Sequence, residues 1–166
     1  MNRTTVGGPE IGGGRGAGGV VVLSDPAGAE AGNSAVAPLL ADALHPSVHL
    51  RADDFRRAVR QGFVPPHLPE ARRQNETVLA ATAQAAFAYA TAGYQVVVEC
   101  AVEPAALGAF RRESRATGAA LHYVALRPTG TGPLDRHAVD TTAMDEETAA
   151  KSVLDGLPGG AYLLGW

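Results

Sequence analysis

The sequence has 166 residues, of which 46% are hydrophobic and 19% are charged, proportions typical of one soluble domain with a buried core. Its net charge of -3, with no basic run longer than pairs such as Arg56-Arg57, argues against a nucleic-acid partner. Cys100 is the only cysteine, which excludes an internal disulfide and a multi-cysteine metal site. Without a signal-peptide pattern or a membrane-spanning apolar run, we expect a cytoplasmic protein with no membrane contact.

The first half of the chain alternates strand and helix signals after a glycine-rich start. Residues 1–19 are predicted to form a flexible tail, and residues 20–166 to form a single domain. The apolar run "GVVVLSD" predicts a strand buried on both faces, and "SAVAPLLADAL" has the apolar spacing of a helix. Next, "SVHLRA" predicts a strand in which His49 is expected to pack, and "DDFRRAVRQ" a helix capped by an aspartate.

The second half continues the same alternation. A proline-rich loop, "GFVPPHLPE", precedes the longest helical segment, residues 71–92, which ends at Gly93. Two further strands, "YQVVVEC" and "LHYVALR", flank a helix over residues 104–117, and "HAVDTT" predicts a short last strand before a helix over residues 144–157. This order predicts a three-layer α/β sandwich with a five-stranded parallel sheet.

In such a sheet, ligands bind beyond the carboxyl ends of the strands. The residues at these ends include several carboxylates beside arginines, an arrangement that separates pKa values and supports acid–base chemistry. The alternative is that these side chains are helix caps and solvated charges at the rim. They are Ser24, Asp25, Arg51, Asp53, Asp54, Glu99, Cys100, Arg127, Thr141 and Thr142.

The order of these segments resembles the small P-loop kinases, specifically the chloramphenicol-phosphotransferase-like small-molecule kinases of bacteria. The resemblance covers about residues 20–164. It depends on the strand, loop and helix of residues 20–44, on "VHLRADDFR", on "GFVPPHLPEARRQNETVL", and on "GYQVVVEC" as the Walker-B-like strand. The segments "LHYVALRP" and "VDTTAMDEETAAKSVL" complete the pattern. The resemblance implies a P-loop kinase fold.

The resemblance also implies roles for individual residues. Asp53 or Asp54 would hold a substrate hydroxyl and act as the base, with Arg56 beside it. Glu99 would be the acidic residue that ends the Walker-B-like strand. The substrate pocket would be lined or covered by polar side chains of the loop and the long helix, namely His67, Gln74 and Asn75, and we add Asp25 and Arg127 from their strand ends.

The segment that should bind phosphates departs from the kinase pattern. A working loop reads G-x-x-x-x-G-K-[ST], with backbone amides and a lysine around the phosphates. Here "DPAGAEAGNS" opens with Asp25, contains Glu30 and has Asn33 where the lysine belongs. A carboxylate about 4 Å from a phosphate would cost about 4 kcal/mol at an effective dielectric of about 20. The positions that still match, and would bind a nucleotide if any does, are Gly28, Gly32 and Ser34.

Two further departures concern positive charge. Lys151 is the only lysine and lies in the last helix. The arginine-bearing lid of the family is reduced to "PTGTGPLDRHA", which leaves Arg127 and Arg136 as candidates. Phosphoryl transfer depends on positioning and on charge stabilisation, so these losses should remove most of its rate.

We therefore predict a repurposed enzyme that acts on a small organic molecule by acid–base chemistry without a cofactor. Asp53 or Asp54 is the base, Glu99 a partner acid kept protonated, and Arg56 or Arg127 the electrophilic stabiliser. Two alternatives stay open: an ATP- and magnesium-dependent phosphotransferase with an unorthodox loop, and a non-catalytic pseudokinase that binds partners. The histidines lack metal-ligand spacing, so no metal site is predicted, and Cys100 is expected to be a core residue. The oligomeric state is left open.

Overall fold

A computed structural model describes residues 18–25, 35–127 and 134–165. Its centre is one sheet of five parallel strands in the spatial order β2-β3-β1-β4-β5, which confirms the predicted five-stranded parallel sheet. The strands are β1 (Gly19–Ser24), β2 (Ser47–Arg51), β3 (Gln95–Glu99), β4 (Ala120–Leu126) and β5 (Ala138–Val139).

Helices connect the strands and cover both faces of the sheet. They are α1 (Val36–Ala43), α2 (Ala52–Arg57), α3 (Arg72–Thr91), α4 (Gly108–Thr117) and α5 (Glu146–Gly156). Short 3-10 turns precede α3, α4 and β5, at Pro69–Ala71, Pro104–Leu107 and Asp135–His137. No helix in the described part of the chain is both long and apolar enough to cross a membrane.

The alternation of side chains along β1 explains the three layers. Val21 and Leu23 pack into a core with α1 and α5, whereas Val20 and Val22 pack into a second core with α3 and α4. All six residues of β1 are buried, because a parallel strand with helices on both faces has no side open to water. The predicted α/β sandwich is therefore confirmed.

The two outer parts of the sheet differ from the centre. At one edge, all five residues of β2 are only half-buried, because β2 has a strand neighbour on one side alone. At the other edge, β5 has two residues and pairs only with Ala125 and Leu126 of β4. The N-terminal half of β4 pairs instead with a segment near the end of the chain, where Leu164 N donates to Leu121 O at 2.9 Å.

Candidate active site

A cavity of about 520 Å³ opens at the carboxyl ends of β1, β2 and β3, where the sheet geometry predicts a ligand. Its size is that of small-molecule sites in general. Both polar and apolar side chains line it, and the charged ones come from different elements. The lining residues are Asp25, Arg51, Ala52, Asp53, Arg56, Arg57, Pro66, Asn75, Leu79, Glu99, Cys100, Ala101, Val102, Glu103 and Ala106.

Asp53 and Arg56 form a hydrogen-bonded pair in this cavity. Both lie on α2, three residues apart, so that their side chains meet on one face of the helix, and Arg56 Nη1 donates to Asp53 Oδ1. Asp54 lies outside the cavity, 3.8 Å from Arg57 Nη1 and exposed to solvent. Of the two aspartates considered as the base, Asp53 is thus the one at the cavity.

Glu99 ends β3 and lies near two residues of the neighbouring strand. His49 Nε2 lies 3.0 Å from Glu99 Oε2, and Arg51 Nε lies 3.7 Å from the same oxygen. The contact with His49 thus orients the carboxyl group of Glu99 at the cavity, and its role as a partner acid stays a prediction.

The two amides at the start of α3 have different positions. Gln74 lies outside the cavity: it accepts from Val64 N at 2.9 Å and donates to Val64 O at 2.7 Å. Asn75 lines the cavity and donates to Pro66 O at 3.0 Å. Both side chains thereby fasten the proline-rich loop to α3. His67 of that loop is exposed and does not line the cavity.

Two polar atoms in the cavity walls are buried without a hydrogen-bond partner among the described residues. They are Arg56 Nε and Asn75 Oδ1. Buried polar atoms almost always have a partner. A bound water or ligand, after a small rearrangement of the wall, would satisfy these two.

Cys100 contributes its buried side chain to the cavity wall. Burial, reinforced by the charge of Glu99, raises the pKa of the thiol to about 12. The thiolate is the nucleophilic form of cysteine, so this residue is unsuited to covalent catalysis. The sequence-based expectation of a core residue is confirmed by its place in the core beside α3 and α4.

The loop after β3 is fixed across the end of β1. Ser24 Oγ donates to Val102 O at 3.1 Å and accepts from Val102 N at 3.2 Å. Tyr123 OH also donates to Val102 O, at 3.1 Å, and burial is the main reason why the pKa of Tyr123 is raised. One wall of the cavity is therefore rigidly attached to the central strands.

The remaining candidate residues lie in three places: in the cavity, elsewhere in the fold, and in segments outside the described residues. Asp25 lines the cavity. Arg127 does not, and its Nη1 lies 3.5 Å from Asp135 Oδ1. The predicted nucleotide contacts Gly28, Gly32 and Ser34 lie outside the described residues, as do Glu30, Asn33 and most of the shortened lid. Within the described ranges, no group of three potential ligands could hold a metal ion.

No protein-family model and no curated protein matches this chain, but solved structures do. An APS kinase of Mycobacterium tuberculosis is similar at 19% identity, over 84% of this chain and 96% of that one, with a TM-score of 0.62. A tunicamycin resistance protein of Deinococcus radiodurans is 14% identical over 89% and 99%, with a TM-score of 0.61. A gluconokinase of Sinorhizobium meliloti is 17% identical over 86% and 93%, with a TM-score of 0.55.

The chain has the fold of the small P-loop kinases. In this kinase fold the cavity lies on the β2–α2 side, next to the end of β1 from which the segment 26–34 begins. The fold prediction made from the order of the sequence segments is confirmed.

Sequence reasoning missed the role of His49 at the site. Its position between Val48 and Leu50 suggested simple packing, but it is the residue that holds Glu99. The decisive fact is that β2 lies beside β3, in register from Ser47 with Gln95 to Arg51 with Glu99. Two strands far apart in sequence carry no local signal of this pairing, although the strand order of the kinase fold would have supplied it.

Proposed function

We propose that this chain is an enzyme that binds a small organic molecule in the cavity and converts it by acid–base chemistry without ATP. Asp53 is the base, and Arg56 orients its carboxylate and stabilises negative charge that develops on the ligand. The reaction is one that acid–base chemistry alone can perform, namely a cyclisation, elimination, isomerisation or hydrolysis. The observation that carries the proposal is that Asp53, Arg56 and Glu99 line one cavity.

Glu99 and His49 together return the proton in this proposal. The carboxylate of Glu99 lines the cavity, and His49 lies behind it with its side chain 22% exposed. Histidine is the side chain that takes up and releases protons near neutral pH. The contact between the two thus joins the carboxyl group at the cavity to a partly exposed imidazole.

The proposed reaction does not use ATP, because the sequence lacks a positive side chain at the position of the phosphate-binding lysine. The sequence has Asn33 at the position of the phosphate-binding lysine and adds Glu30 nearby. The only lysine of the chain, Lys151, is exposed on α5, and no residue of α5 lines the cavity. In P-loop kinases the phosphate-binding lysine helps to neutralise the transferred group, and its replacement by Asn33 supports a chemistry that does not need it.

An ATP-dependent small-molecule phosphotransferase is the second candidate. The observation that favours it is the likeness to solved kinases, which extends over most of the chain. Asp53 would then deprotonate an acceptor hydroxyl, and ATP with magnesium would be the only cofactors.

The test combines calorimetry with a search for product. The full chain is titrated with Mg·ATP, and a library of small metabolites is screened by ligand-observed NMR and then incubated with the protein. We expect no saturable heat with Mg·ATP, and mass spectrometry should detect conversion of one bound compound without it. Asp53→Asn should abolish that conversion, whereas Asp54→Asn, the matched exposed control on the same helix, should retain it.

Two outcomes would contradict the proposal. Saturable Mg·ATP binding with transfer of the γ-phosphate to a bound acceptor would establish the phosphotransferase. A ligand that binds but is never converted, with affinity indifferent to Asp53→Asn, would indicate a binding protein.

A further inference from the structure

Two of the three arginines in the cavity are only loosely tied to acidic partners. Arg51 Nε is 3.7 Å from Glu99, and Arg57 Nη1 is 3.8 Å from Asp54. Both distances exceed those of hydrogen bonds. Their side chains are 41% and 71% exposed, so guanidinium N–H groups of both residues remain accessible from the cavity.

Arg56 shows the contrast. It lies on the same wall, but its Nη1 is hydrogen-bonded to Asp53 and its side chain is more buried. One terminal nitrogen of Arg56 is therefore occupied by the base. Arg51 and Arg57 are within ion-pair distance of a carboxylate, but neither has a hydrogen bond of this kind among the described residues.

His49, and not Arg51, makes the close contact with Glu99. The short contact to Glu99 Oε2 comes from His49 at 3.0 Å, and the side chain of Glu99 is only 16% exposed. Arg51 Nε stays 3.7 Å from the same oxygen, beyond hydrogen-bonding distance.

Two carboxylates of the cavity lining come from elements other than β2 and α2. They are Asp25, after β1, and Glu103, in the loop after β3. The other two, Asp53 and Glu99, contact Arg56 and His49. A second negative charge on the ligand would be repelled by Asp25 and Glu103 if it lay near them, so a single anionic end directed toward Arg51 and Arg57 suits the cavity best.

We propose that Arg51 and Arg57 form an anion-binding site for the carboxylate or phosphate end of the ligand. This inference rests on the proposed function of the cavity. Planar guanidinium groups present paired N–H donors that match the oxygens of such groups. Bound there, the ligand places its uncharged part toward Asp53. The ligand class is thus a small organic acid or phosphate ester with one anionic end.

Binding of simple anions tests this inference without any conversion. Inorganic phosphate and acetate are titrated separately into the full chain at constant ionic strength, and backbone amide signals are followed by two-dimensional NMR. We expect saturable shifts at residues of β2 and α2 with at least one of the two, and the stronger anion identifies the ligand as phosphate or carboxylate. Arg51→Gln and Arg57→Gln should each weaken binding about tenfold or more, as expected for the loss of a charged hydrogen bond.

Arg60→Gln is the matched control, because it removes the same charge from an exposed position outside the cavity lining. It should leave the affinity within about twofold, and thermal unfolding should show that all three variants fold. Saturable binding that survives Arg51→Gln, or the absence of saturable binding with both anions, would overturn the inference. Because neither anion is converted, these results are independent of whether the acid–base proposal holds.

Discussion

The centre of the sheet and its β2 edge differ in what their side chains can do. In β1, every residue is buried and most are valine or leucine, so the strand contributes packing energy. In β2, every residue is half-buried, and the strand supplies two side chains near Glu99: His49, in close contact, and Arg51, 3.7 Å away. The comparison teaches that the polar groups of this site lie at the edge strand, where one open side lets them be ordered at a lower desolvation cost than in the centre of the sheet.

Asp53→Asn is expected to have the largest effect on function. Loss of a general base lowers turnover by about 10² to 10⁴-fold, and stability should change little because Asp53 is exposed. The measurement is the initial rate of conversion of the ligand found in the screen. Equal losses in Asp53→Asn and Asp54→Asn would contradict the special position of Asp53 in the cavity.

Leu23→Ala is expected to have the largest effect on stability. Leu23 is fully buried in the centre of the sheet, and a cavity left by such a truncation costs about 2 to 5 kcal/mol. Urea denaturation gives the change in the free energy of unfolding. Leu50→Ala, in the partly buried β2, is the control and should cost less; the reverse order would break the contrast between centre and edge.

His137 is expected to make stability depend on pH. Its Nδ1 contacts Tyr123 O at 2.9 Å and Arg136 Nε donates to its Nε2 at 3.2 Å, and burial lowers the pKa of His137 from its ordinary 6.5. The unfolded chain then binds this proton more readily than the folded one. The stabilisation is therefore complete above about pH 6.5 and is lost as the pH falls toward the folded-state pKa.

The test compares urea midpoints at several pH values between 5 and 8 for the wild type and His137→Gln. The variant should be less stable at pH 8 and should lose less stability on acidification. A wild-type midpoint that rises on acidification to pH 5 would contradict the prediction.

The smallest expected effect concerns Cys100, whose thiol should hardly react with an alkylating reagent in the folded protein. Because burial raises the pKa of the thiol to about 12, iodoacetamide at pH 8 should label the folded protein far more slowly than the urea-unfolded protein. Mass spectrometry measures the labelled fraction over time. Labelling of the folded protein at the rate of the unfolded chain would show that the cavity wall at Cys100 is open.

Much of the site could be predicted from the sequence, because the end of a buried strand is recognisable from the few residues around it. Glu99 and Arg51 follow apolar runs, and Asp53 follows the second one, so their place at the carboxyl edge needed no structure. The contacts of Gln74 with Val64 and of His49 with Glu99 could not be read, because each depends on how two separate segments pack.

The sequence by itself determined the alternation of strands and helices, the burial of β1 and the set of polar groups at one edge of the sheet. These follow from hydrophobic periodicity, which acts between residues close along the chain. Only the tertiary structure decided that β2 pairs with β3, that Asp53 rather than Asp54 meets the cavity, and that His49 holds Glu99. Those outcomes depend on the strand order and on the rotation of α2 against the sheet, which arise from contacts between residues far apart in sequence.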